Sequence, residues 1–63
     1  MRYARVEIFR NGQFHRLEIV PVESYDRNVI EDLIRKYGPE IRIYKCNEHG
    51  NNYHGRLMWP YNQ

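Results

Sequence analysis

Cys46, Glu48 and His49 lie within one short stretch of the chain, with His54 just beyond, and all four are residue types that bind metal or do nucleophilic chemistry. A Cys-x2-His spacing with a second His across a turn can bring sulfur and nitrogen donors together, as tetrahedral zinc requires. A fourth ligand would have to be Glu48, His15 or water. Structural zinc sites commonly use two or more cysteines, and this chain has one. The expectation is therefore a polar loop that carries two histidines, with no bound metal or cofactor. Cys46 with His49 or His54 can also be written as a nucleophile–base dyad. No helix N-terminus is expected beside Cys46 to depress its pKa. Ser24 reads as a helix cap, and the four glycines are scattered rather than gathered into a phosphate loop. Glu31-Asp32 reads as a solvated helix face. No catalytic residue is assigned, and the chain is expected not to be an enzyme.

Size and charge narrow the field further. Sixty-three residues make a single domain, spanning 1–63. A chain this short buries only about 60% of its unfolded surface, which leaves no room for an enclosed substrate pocket. The single cysteine excludes an internal disulfide. No apolar run reaches membrane-spanning length, and no apolar segment follows Met1-Arg2-Tyr3-Ala4-Arg5 as in a signal peptide. A complete, cytoplasmic small protein is the expectation. The net charge is +2, but it is unevenly spread. Residues 22–40 hold five acids and three bases, and the rest of the chain holds seven bases and three acids. Arginine outnumbers lysine eight to two, and there are six tyrosines. Arg and Tyr are enriched at the energetic centres of interfaces, although Tyr is also an ordinary strand residue.

The elements that would position these groups begin with a hairpin. Asn11-Gly12 is the strongest two-residue turn signal, because a type I′ turn needs positive φ twice. A regular ladder from that turn pairs Phe9 with Phe14, Glu7 with Arg16, Val6 with Leu17, Arg5 with Glu18 and Ala4 with Ile19. One face then reads Ala4, Val6, Ile8, Leu17 and Ile19. The other reads Tyr3, Arg5, Glu7, Phe9, Phe14, Arg16, Glu18 and Val20. Opposite charges meet and apolar meets apolar, which supports the register. Pro21 is expected to close the second strand. Ser24 or Asp26 then caps a helix that runs to Tyr37, with Tyr25, Val29, Ile30, Leu33, Ile34 and Tyr37 on one stripe. Its acids are expected early and Arg35-Lys36 late, with Gly38-Pro39 as the stop. Ile41 to Cys46 reads as a third strand and Tyr53 to Trp59 as a fourth, with Leu57 and Trp59 facing inward.

The order is ββαββ. The predicted fold is α+β: a mainly antiparallel four-stranded sheet with one helix on one face. This order of hairpin, helix and returning strands resembles the ubiquitin-like β-grasp. The chain ends Pro60-Tyr61-Asn62-Gln63, without the Gly-Gly that conjugation in that family requires, so the resemblance carries the fold and not the activity.

One helix cannot cover both faces of a sheet. The opposite face is expected to show Tyr3, Arg5, Phe9, Phe14, Arg16, Arg42 and Tyr44. Several large aromatics among arginines suit a docking surface for a protein partner, through the face or through an edge strand. Plain cross-strand stabilisation and burial in a homodimer are the alternatives. Aromatics interleaved with Arg also suit single-stranded nucleic acid. Glu7 and Glu18 beside the arginines argue against that, because a phosphate-binding surface leaves its cations unpaired. A metal-stabilised structural domain is the third reading. In scale and architecture the chain resembles small phage-encoded inhibitors of host or defence proteins, including anti-CRISPR types.

Overall fold

The computed structural model describes residues 2–61 and, within that range, all side chains except those of 52–56. The elements are β1 (Arg2–Arg10), β2 (Gln13–Val22), α1 (Arg27–Tyr37), β3 (Ile41–Cys46) and β4 (Asn52–Trp59). They form the expected α+β fold, with a four-stranded sheet in the order β2-β1-β3-β4 and α1 against one face. Each neighbouring pair is antiparallel. Strands β2 and β3 therefore run parallel to each other, on either side of β1, and α1 lies on the connection between them.

The hairpin turn is where the sequence places it. Asn11 and Gly12 both have positive φ, at 53° and 79°, and Arg10 faces Gln13. Phe9 faces Phe14 as expected. Beyond that pair the regular register fails. Ile8 faces Arg16 rather than His15, so His15 is one extra residue in β2 and forms a bulge. From there each partner slips by one: Glu7 faces Leu17, Val6 faces Glu18, Arg5 faces Ile19 and Ala4 faces Val20. Because side chains alternate, the slip moves Leu17 and Ile19 to the face away from the helix and brings Val20 and Val22 to the core. Arg16 moves to the helix side with them.

The physical reason lies at Pro21. In a regular ladder from a two-residue turn, Arg10–Gln13 is a hydrogen-bonded pair, and every second pair after it is too. Pro21 would then face Arg2 in a bonded position and have no N–H to donate. The bulge places Pro21 opposite Tyr3 in a non-bonded pair, so its ring nitrogen faces outward from the edge strand. Pro21 therefore does not end β2, which continues to Val22.

Ala4, Val6, Ile8, Ile30, Leu33, Ile41 and Ile43 form the buried core. Asp26 caps α1 by accepting from the Val29 N–H at 3.0 Å, and Gly38 N–H donates to Ile34 O at 2.7 Å. The first turn of α1 contains no acid; the N-cap Asp26 itself is the negative charge at that end. Tyr25 precedes α1, and its hydroxyl donates to Tyr3 O at 2.7 Å. Glu31 and Asp32 are exposed, as expected, and Asp32 pairs with Arg35. In β4 the register is irregular: Leu57 faces Tyr44 and Trp59 faces Ile43. Met58 and Trp59 pack against the core, so Leu57 does not take the inward place expected of it. Arg27 sits over the Tyr61 ring, 5.1 Å from its centroid, which ties the end of β4 to the start of α1.

Candidate interaction surface

The face away from α1 carries Tyr3, Arg5, Glu7 and Phe9 from β1, in line with Cys46, Tyr44 and Arg42 from β3 and with Pro21, Ile19, Leu17 and Phe14 from β2. Six of the seven expected surface residues are here: Tyr3, Arg5, Phe9, Phe14, Arg42 and Tyr44. Arg16 is not. It lies beside Glu18 on the helix side, with Arg16 Nε 3.6 Å from Glu18 Oε2.

Three side chains form a continuous stack near the hairpin. The Phe9 and Phe14 rings meet edge to face, with centroids 5.9 Å apart and planes at 82°. The Arg42 guanidinium lies over Phe9, 4.9 Å from its centroid. Edge-to-face rings and a cation over a ring face are both favourable arrangements of the aromatic quadrupole. Phe14 remains 59% exposed and Leu17 41% exposed, so the apolar part of the stack meets water.

The other end of the face is covered. Residues 47–51 form a loop bonded to itself: Asn47 Oδ1 accepts from the N–H groups of His49 (2.9 Å) and Asn51 (3.0 Å). Asn47 N–H donates to Asn51 O at 3.0 Å, and Gly50 N–H donates to Asn47 O at 2.9 Å. Gly50 has φ +84° and lies against Ile19; a Cβ there would come within 2.8 Å of Ile19 Cδ1. The positive φ favours glycine at Gly50, and a Cβ there would also make the end of the Ile19 side chain shift. Arg5 anchors the loop through Nη1 to Gly50 O at 3.1 Å, and its Nη2 lies 3.2 Å from Glu7 Oε2. Its Nε is buried without a hydrogen-bond partner.

Charge pairing follows the strands rather than crossing between them. The expected Arg5–Glu18 and Glu7–Arg16 pairs are replaced by Arg5–Glu7 on the bare face and Arg16–Glu18 on the helix side. The bulge separates the expected partners, and residues two apart in one strand share a face. On the bare face, Arg42 is left over its aromatic ring, in no ion pair among the described residues.

Cys46 is buried, at 1% exposure, whereas the His49 side chain is 75% exposed and lies 3.7 Å from Glu48. Burial pushes the Cys46 thiol pKa up, partly offset by the positive charge of Arg5. A buried, protonated thiol is a poor ligand and a poor nucleophile. Among the described residues no three His, Cys, Asp or Glu side chains gather into a metal cage. The His54 side chain lies outside the described residues. Among the described residues two open grooves are present, one at Arg2, Pro21, Val22 and Glu23 and one at the hairpin tip beside Phe14 and His15.

Leu17, Ile19 and the 47–51 loop are the parts of this face that sequence reasoning missed. The signal for Leu17 and Ile19 was present: the parity of the Asn11-Gly12 turn conflicts with Pro21 in a bonded position. Nothing local in residues 47–51 says where the loop lands. Comparison with family models, curated proteins and solved structures finds no match.

Proposed function

We propose that the chain is a non-enzymatic interaction module that docks a protein partner on the bare face, through the surface formed by Phe9, Phe14, Leu17, Arg42 and Tyr44. The observation that carries this reading is the pair of exposed apolar side chains, Phe14 and Leu17, beside an arginine stacked on Phe9. Aromatic and arginine side chains that are already held in place lose little entropy on binding, which is why they recur as hot spots. The Arg5–Glu7 pair leaves Arg42 as the main cation of this region, a weak footprint for a phosphate backbone. The buried Cys46 supports the non-enzymatic reading. No helix among the described residues is long and apolar enough to cross a membrane. Small phage-encoded inhibitors share this scale and architecture, and a role of that kind is the biological form of the proposal.

The test is a comparison of variants in one capture assay. Phe14→Ala and Arg42→Ala should each weaken partner capture by about 1–2 kcal/mol, with the melting temperature nearly unchanged. Glu31→Arg and Asp32→Arg, on the outer face of α1, should leave capture intact. If those helix variants abolish capture and the aromatic ones do not, the helix is the docking surface. A fluorescent single-stranded oligonucleotide titrated at several salt concentrations tests the other reading. Tight binding that falls steeply with salt would replace the protein partner with nucleic acid.

A further inference from the structure

We infer that the outer edge of β2 pairs with the same edge of a second copy of this chain, antiparallel and centred on Leu17, to give one continuous eight-stranded sheet. The inference concerns the edge, not the face, and does not depend on the docking proposal.

Which backbone groups the edge presents follows from two independent observations. Phe9 N–H donates to Glu40 O at 2.9 Å, so the N–H and C=O groups of Phe9 point toward β3. Alternation sends those of Glu7, Arg5 and Tyr3 the same way. Their partners in β2 are Leu17, Ile19 and Pro21, which therefore turn their backbone polar groups away from β1. Pro21 agrees, since it has no N–H to give to β1. Strand β2 is terminal in the sheet order, and no backbone partner lies beyond Leu17 or Ile19 among the described residues.

Such an edge is a template for another strand. Its ends are blocked, by the His15 bulge on one side and by Pro21 on the other, which leaves a short window between them. A two-fold axis through the sheet keeps both helices on one side and runs the two copies of β2 antiparallel. The outward groups belong to odd-numbered residues, so only alternate registers can bond. Centring on Arg16 sets Arg16 against its own copy, and centring on Glu18 sets Glu18 against its own copy; both oppose like charges. Centring on Ile19 brings Leu17 opposite Pro21 and loses a bond. Centring on Leu17 lets Leu17 exchange two hydrogen bonds with its copy and sets Arg16 against Glu18 twice, once on each side of the axis. Arg16 and Glu18 already share the helix side of the strand, 57% and 37% exposed, so the cross-axis pairs need no change of face.

The test uses the full chain and its mass in solution by sedimentation equilibrium, from micromolar to millimolar. A dimer of about twice the 7.8 kDa chain mass is expected. Arg16→Glu and Glu18→Arg each set like charges against each other twice, and each should raise the dimer dissociation constant by at least about tenfold. The double variant Arg16→Glu/Glu18→Arg exchanges the charges and should restore dimerisation to near the wild-type level. Circular dichroism on each variant checks that the fold persists. A chain that stays monomeric throughout the range overturns the inference. So does a dimer that ignores both single substitutions, or a double variant no better than the singles. A dimer broken by Phe14→Ala but not by Arg16→Glu would assign self-association to the face and also overturn it. Monomeric wild-type chain would still leave Phe14→Ala and Arg42→Ala to report separately on partner docking.

Discussion

At the scale of single residues, environment decides the chemistry that each group can do. Cys46 has the residue type for nucleophilic or metal chemistry, but it is buried and its thiol pKa is raised by desolvation. Its alkylation at neutral pH should therefore be slow in the native chain and fast in denaturant, as followed by mass spectrometry. Alkylation as fast in buffer as in denaturant would show that the fold does not protect Cys46. Asp26 shows the opposite case, an exposed carboxylate with a structural task. The Val29 N–H bond, and then the Ser24 hydroxyl, hold its pKa below the ordinary 3.8. A depressed folded pKa means that its contribution is complete above the unfolded value and is lost as pH falls through the folded one. Asp26→Asn keeps a capping oxygen but removes the charge. Its melting temperature should therefore show a shallower fall below pH 3.8 than wild type. Parallel curves for the two proteins would mean that the charge at the cap carries no stability.

At the scale of elements, the His15 bulge decides which side chains meet water. Deleting His15 would restore the regular ladder that the Asn11-Gly12 turn favours. It would leave Leu17 opposite Glu7, Ile19 opposite Arg5 and Pro21 opposite Tyr3 in a non-bonded position, so the pairing and the two faces of β2 are kept. The deletion should therefore be tolerated, with stability within about 1 kcal/mol of wild type, because the turn and Pro21 no longer conflict once the extra residue is gone. Urea denaturation reads this directly, and a deletion variant destabilised by several kcal/mol would show that the bulge does more than reconcile the turn with Pro21. Helix α1 needs less from the rest of the chain. Its stripe, its Asp26 cap and its Gly38 stop agree with one another locally, and only the choice of sheet face is imposed from outside.

At the scale of the whole molecule, one small core supports the fold. Ile43, 1% exposed, and Leu33 join the sheet to the helix, and each Ala substitution there should cost about 2–5 kcal/mol. A domain of this size rarely has more than about 3–5 kcal/mol in total. Ile43→Ala should therefore lose its cooperative thermal transition or melt far below wild type. Ile34→Ala, at a partly buried site, should cost less than Leu33→Ala. Equal melting temperatures for wild type and Ile43→Ala would place the core elsewhere.

Local sequence accounts for the element order, the turn, the helix with its stop, and the fact that one sheet face has no helix on it. These rest on local chemistry: positive φ at Asn11-Gly12, a period of 3.6 from Val29 to Tyr37, and alternation in β1 and β3. It also determined most of the candidate surface, because Tyr3, Arg5 and Phe9 in β1 and Arg42 and Tyr44 in β3 follow from that alternation alone. Tertiary structure decided the rest. The position of the bulge, and with it the exchange of Leu17 and Ile19 for Val20 and Val22, depends on a bond that Pro21 cannot make to a strand many residues away. The 47–51 loop lies against β1 and β2 because Arg5 and Ile19 meet Gly50, contacts between three segments that share no local pattern. Local preferences set what each segment is, and long-range pairing sets which of its faces the solvent sees.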